Sequence, residues 1–478
     1  MGAAGFRLPN GRTAAYEWGS GALSLASSLR LGAGTETRML AALAEARAWW
    51  STPAEFARYV AVLHESVHCL QDLTTGVGLW DFALWNAREG AVLVELRNAS
   101  WGTPFGTPLP AAEVSAYHGW LDDGFVPQSA KARARRKLYL QQRISAETVV
   151  GALRDPDVFA IDRLLEAEAV VQVTLGLFRL RKTPAEREVM MDQLALWSAP
   201  DMAELYQGVY HDVIDLAARW WDADGRVADR KTVQVALWLT CFLIDLSLAH
   251  PSMEYLDANG LNPPDYDPGL KFILLVSALA RLTTEQHNAC LQALLVRRDV
   301  AEAERILLEA CTLPYPASAR IYEDWAKRLE GSRGVSEDRR VELRLLAVRR
   351  RLAYPAGFLF KSMTSFFEHD LPLILVHDEG FRLTSLNPLY TVERARFELP
   401  EDIVREQSLK RLCHAMVDGA PFVCTHAEFG MCHASMRICR EGMSRAEEFP
   451  ARPGCAMRNW LEGSHFGIFG PVRQSRSL

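Results

Sequence analysis

The sequence has no apolar run that reads as a membrane span. Its longest, Val233 to Ala249, is interrupted by Gln234 and Asp245 and falls short of the roughly 20 residues needed to cross a bilayer, so a buried helix is expected there. Met1 to Pro9 holds a lone Arg7 and no apolar h-region. That stretch gives no secretory signal and sets the expectation of a cytoplasmic protein without membrane association. An excess of positive charge is missing too. With a formal net charge of -6, the chain has no general attraction to phosphate backbones or anionic lipid, and nucleic acid is not an expected partner. The best basic patch, Lys131 to Lys137, reads as a solvated helix face. There is no internal repeat and no low-complexity tract, which argues against solenoid and disordered architectures. The nine cysteines include no C-x-x-C pair, the spacing that normally nucleates a structural zinc site.

What is present is an ordinary folding composition, 49% apolar and 23% charged over 478 residues, a length that implies more than one domain. Phe6 to Leu8 and Arg12 to Trp18 flank Asn10-Gly11, a dipeptide suited to a tight hairpin turn, so a short β hairpin is expected at the N-terminus. From about Thr37 to Arg350 the apolar residues recur at three- and four-residue spacing, which predicts helices. Gly331 to Gly334, followed by Glu337 to Arg340, reads as a linker. After Tyr354 the texture changes, because Leu371 to Val376 and Phe381 to Ser385 surround Asp378-Glu379-Gly380 as a second hairpin. The expected fold class is therefore mainly α, with a helical domain over 1–335 and an α+β, Cys-rich domain over 336–478.

The chemistry concentrates at Leu63-His64-Glu65-Ser66-Val67-His68-Cys69-Leu70. This H-E-x-x-H spacing sets two imidazoles one helical turn apart on one face, where both can reach a single ion. Thr52 is a good N-cap, Pro53 suits the first helical position, and Glu55 completes a capping box. Thr74, Thr75 and Gly76 end the helix. Phe56, Val60, Leu63, Val67 and Leu70 form an apolar stripe, and His64, His68 and Gln71 share the adjoining face. Two histidines and a glutamate buried at this spacing without a metal would carry a desolvation cost with no return.

Ala61 to Leu70 resembles the motif helix of the H-E-x-x-H zinc metallopeptidases, the zincins. The longer pattern with a third histidine fails, since Gln71 and Thr74 stand where Gly and His are required. The resemblance is then gluzincin-like, which implies a third ligand from the carboxylate of a later helix and an open position for water. The candidate helix starts at Asp155-Pro156 and runs through Ile161, Leu164, Leu165, Ala169, Val170 and Val173. It carries Glu166 and Glu168. Glu166 is favoured because Glu166-Ala167-Glu168-Ala169 is similar to the E-[GA]-x-A run around the third ligand in some such enzymes, which leaves Glu168 to pair with Gln172.

On this resemblance the expected cofactor is one catalytic Zn2+ on His64, His68 and Glu166, with Glu65 as general base. Gln71 or Asp72 is placed to orient a ligand. Tyr117-His118 and Tyr210-His211 are the alternatives for an oxyanion donor. The resemblance also implies that an exposed strand beside the active helix binds extended substrate, a role for the hairpin around Arg12 to Trp18, although a helix over about Thr37 to Trp50 is expected to intervene.

Four further cysteines, Cys69, Cys241, Cys290 and Cys311, sit singly in apolar helical segments and read as inert core thiols. Cys424, Cys432, Cys439 and Cys455, close to His426 and His433, are candidates for a second, structural zinc. Unligated thiols and a redox pair stay open there. The leading expectation is a zinc-dependent hydrolase, a peptidase acting on a protein or peptide substrate. Its rivals are a non-catalytic, zinc-stabilised scaffold and a zinc amidohydrolase acting on a non-peptide amide.

Overall fold

Helix α1, Pro53–Thr74, is bounded by the residues that its sequence marks. The Glu55 N–H donates to Thr52 Oγ1 at 3.2 Å, and Pro53 opens the first turn, where no N–H partner is needed. The capping box departs from expectation on its return side. Glu55 Oε2 accepts from the Ser51 N–H at 2.8 Å and the Ser51 hydroxyl at 2.7 Å, which serves the chain one residue further out than the cap. At the other end Thr75 takes an extended conformation, and its N–H and hydroxyl both donate to the Gln71 carbonyl, at 3.0 and 2.6 Å, closing the last turn.

Gly76 then allows close backbone packing. A Cβ there would lie 2.2 Å from His250 N and 2.3 Å from His250 O, closer than any side-chain carbon is tolerated.

The computed structural model describes residues 47–83, 161–197, 230–333 and 339–353 as continuous stretches, with 138–143, 421–424, 437–444, four short strands and isolated positions besides. These residues are mainly helical. After α1 come α2 (Ile161–Arg179), α3 (Pro184–Trp197), α4 (Arg230–Leu248), α5 (Met253–Ala258), α6 (Pro268–Arg281), α7 (Thr284–Leu291), α8 (Val300–Glu309), α9 (Ser318–Arg333), α10 (Arg339–Leu352) and α11 (Arg437–Glu441). Helix α1 packs on α2, α2 on α4, and α4 on α6.

Helix α4 corresponds to the Val233 to Ala249 run, and from Leu239 to Leu248 it is buried throughout. No described helix is long and apolar enough to cross a membrane. The main core joins Leu164, Leu165 and Ala167 of α2 to Leu239, Phe242 and Leu243 of α4 and to Phe272 and Leu275 of α6. Burying side chains of this size contributes about 1.5–3 kcal/mol each.

Helix α10 packs on α9 and on α1. Its apolar residues Val341, Leu345 and Val348 join Trp80, Tyr322 and Trp325 in a second core. Two arginines on this helix are buried with acidic partners. Arg344 meets Asp72 of α1 at 2.9 Å, and Arg351 meets Asp245 of α4 at 2.6 Å. Their guanidinium groups lie over the Phe82 and Tyr322 rings, 4.0 and 4.3 Å from the centroids, so each charge has an ion partner and an aromatic face. Of the segment read as a linker, Gly331 to Arg333 belong to α9 and Arg339 to Arg340 to α10, and 334–338 lie outside the described residues.

Strands β1 (Ala14–Glu17), β2 (Ala22–Leu25), β3 (Ile374–His377) and β4 (Leu383–Ser385) form one sheet in that order. β1 pairs antiparallel with β2, β2 parallel with β3, and β3 antiparallel with β4. Phe6 to Leu8 and Asn10-Gly11 lie outside the described residues. β1, one of the two edge strands of those described, packs against α1. The helix expected over Thr37 to Trp50 does not reach Trp50. Arg47 instead forms a parallel bridge with Arg181, and Trp50 Nε1–H donates to the Glu186 carbonyl at 2.7 Å.

Candidate metal centre

On α1 the imidazoles of His64 and His68 are one turn apart, and their Nε2 atoms approach to 3.1 Å. Helix α2 brings Glu166 to the same point. Its Oε2 lies 2.9 Å from His64 Nε2 and 3.5 Å from His68 Nε2. Among the described residues this is the group of histidine, cysteine and carboxylate side chains that converges as a metal site would, with all three ligand atoms within 4.8 Å of one another.

The donor set fits zinc. Two imidazole nitrogens each about 2.0–2.1 Å from one ion stand roughly 3.3 Å apart in a tetrahedron, close to the spacing seen here. Two imidazoles and a carboxylate also leave one tetrahedral position open.

The centre lies at the rim of the buried bundle. The His64 and Glu166 side chains are 19% and 27% exposed, while His68 is buried. Burial pulls the His68 imidazole down, but hydrogen bonding to Glu166 and the Glu166 and Glu65 charges outweigh it and leave it raised. For Glu166 burial acts upward, and the hydrogen bonds with His64 and His68 reverse it and hold the carboxyl well below the ordinary carboxylate range. Glu65 is 8% exposed, and among the described residues nothing hydrogen-bonds its carboxylate.

Glu168 differs from its neighbour because two residues on a helix turn the side chain by about 200°. It is fully buried, and burial followed by the nearby Asp245 charge pushes its carboxyl well above the usual range. Its partner is not Gln172, as the sequence led us to expect. The Gln71 carboxamide reaches it, Nε2 to Oε2 at 2.9 Å, whereas Gln172 turns to Cys241 Sγ. Of the two residues proposed to orient a ligand, Gln71 contacts His68, Oε1 to Nδ1 at 2.7 Å, and Asp72 is taken by Arg344.

Arg344 and Arg351, which brace the helices behind the centre, were not anticipated. The readable signal is their spacing, seven residues apart among Val341, Leu345 and Val348, which puts both on the apolar face of α10.

Cys69, Cys241 and Cys290 are buried, and Cys311 is half-buried. In the C-terminal part Cys424, Cys439 and Cys455 are buried, and the Cys424 N–H donates to the Cys439 carbonyl at 3.0 Å. Those three do not form a second metal-ligating group among the described residues. Cys432, His426, His433, Tyr117-His118, Tyr210-His211, Lys131, Lys137 and Asp155-Pro156 lie outside the described residues. No family model, no curated protein and no solved structure matches the chain.

Proposed function

We propose that this chain is a zinc-dependent hydrolase and that it cleaves peptide bonds. The observation that carries the reading is the convergence of His64 Nε2, His68 Nε2 and Glu166 Oε2 on one point, on the helix that also carries the nearly buried Glu65. An ion held by these three residues supplies Lewis acidity toward a water and a carbonyl oxygen.

Glu65 follows His64 on α1 without being a ligand, and its carboxylate, with no hydrogen-bond partner among the described residues, is available as a base. It takes the proton of the attacking water and returns it to the leaving amine, so atoms and charge balance over the cycle. Glu166 keeps its charge, because His64 and His68 both bond the same oxygen.

A peptide as substrate is supported by β1. Among the described strands β1 lies at an edge and against α1, where it would offer backbone donors and acceptors to an extended chain, and backbone pairing of this kind accepts many side chains. The test is to load the full-length protein with zinc, expose it to a proteome-derived peptide mixture, and sequence new N-termini alongside His64→Ala. Cleavage by the wild type and not by the variant is expected. Zinc uptake without any cleavage favours a scaffold, and hydrolysis of small amides alone favours an amidohydrolase.

A further inference from the structure

We infer that Gln71, anchored by Glu168 and the Leu165 carbonyl, is a positioning residue that fixes the tautomer of His68 and presents its Nε2 lone pair to the ion. This rests on the metal reading above. A carboxamide has a donating and an accepting end, and its surroundings decide which points where. Gln71 Nε2 lies 2.9 Å from the Leu165 carbonyl oxygen and 2.9 Å from Glu168 Oε2. A backbone carbonyl never donates, so the amide nitrogen belongs on that side whatever the state of Glu168.

The amide oxygen is thereby left facing His68 Nδ1 at 2.7 Å, a contact that requires the proton on Nδ1. With Nδ1 holding its proton, Nε2 is the nitrogen that gives up its proton and offers a lone pair when an ion binds, and it is the atom that faces His64 Nε2 and Glu166 Oε2. Gln71 and Glu168 are both fully buried, so water does not compete for these bonds. Cys241 Sγ lies 3.9 Å from the other Glu168 oxygen and extends the support into α4. A metal-binding imidazole held by an acceptor at its other nitrogen is a better oriented and more basic ligand.

The test compares zinc affinity of the full chain, read by competition with a chromophoric chelator, and the visible spectrum of the Co2+-substituted protein. Gln71→Leu removes the acceptor and is expected to weaken zinc by about 10–100-fold and shift the Co2+ bands. The double variant Gln71→Glu with Glu168→Gln exchanges amide and carboxylate in place. It restores an acceptor to His68 and a donor to residue 71 while leaving the Leu165 carbonyl without its donor, and is expected to bind zinc several-fold more tightly than Gln71→Leu.

Wild-type affinity in Gln71→Leu contradicts the inference alone. So does a folded exchange variant that binds as weakly as Gln71→Leu, since the loss would then come from packing. If Gln71→Leu does not fold, the exchange variant decides by itself. A wild type that takes up no zinc overturns the metal reading and this inference with it.

Discussion

His64 Nε2 and Glu166 Oε2 meet at 2.9 Å although 102 residues separate them in sequence. The packing of α1 on α2 creates this contact, and it brings Glu166 rather than Glu168 into the group that could hold a metal ion. His64→Ala and His68→Ala should each lose one equivalent of zinc by elemental analysis, and Cys432→Ala should retain that ion. Glu166→Gln should weaken zinc retention more than Glu168→Gln, which acts only through Gln71. The reverse order would exchange the two glutamates.

Asp72 and Arg344 are almost completely buried, at 1% and 2% exposure, so removing either one takes the ion partner from a charge in the interior. Arg344→Met should destabilise the protein by about 3–5 kcal/mol, with a double variant Asp72→Asn and Arg344→Met recovering part of the loss. Thermal melting of the three variants checks this. Equal melting temperatures for Arg344→Met and wild type would mean that α10 does not brace the metal helix through this pair.

Gly76→Ala should be poorly tolerated, because the new Cβ would fall onto the His250 backbone rather than onto a side chain that can move. We expect a lowered melting temperature or loss of folded protein, outside the few tenths of a kcal/mol typical of a surface change. An unchanged melting temperature would show that α1 and the segment at His250 are not packed in this way.

His250 is an acid-sensitive element outside the His64, His68 and Glu166 cluster. Burial pushes its imidazole down to about 3, and its Nδ1–H donates to the Pro251 carbonyl at 2.6 Å. In the unfolded chain it returns to about 6.5. Between these values the unfolded state binds the extra proton, so the contribution is full above pH 6.5 and is lost as pH falls toward 3, with a slope approaching about 1.4 kcal/mol per unit. The melting temperature of His250→Gln should fall less steeply from pH 7 to pH 5 than that of wild type. Parallel profiles would contradict the assignment.

Much of the centre was readable because its parts are local. The His64 and His68 spacing, the Thr52 cap with Pro53, and the stop at Thr74 and Thr75 depend on neighbours within one or two turns, where sequence and geometry are directly linked. Glu166 was reached by a different route, the resemblance of Glu166-Ala167-Glu168-Ala169 to the run around the third ligand in some zinc metallopeptidases. The partners of Glu168, Asp72 and Asp245 were not readable, since each is set by how distant helices pack, and a buried carboxylate announces only that some partner is needed. Gln172 looked suitable for Glu168 because it lies one turn away on the same helix. Gln71 won because α1 crosses α2 there and delivers a donor from the side. Trp50 was assigned to a helix on periodicity, yet its indole is drawn to the Glu186 carbonyl, a tertiary contact that a local pattern does not contain.

The central claim is that Glu65 moves protons at a centre held by three other residues, and Glu65→Gln tests it most directly. Zinc content and new N-termini generated from a peptide mixture should be measured side by side for this variant and the wild type. The account predicts equal zinc, an unchanged melting temperature and a loss of turnover of about 10²-fold or more. Cleavage at the wild-type rate by zinc-loaded Glu65→Gln would contradict it.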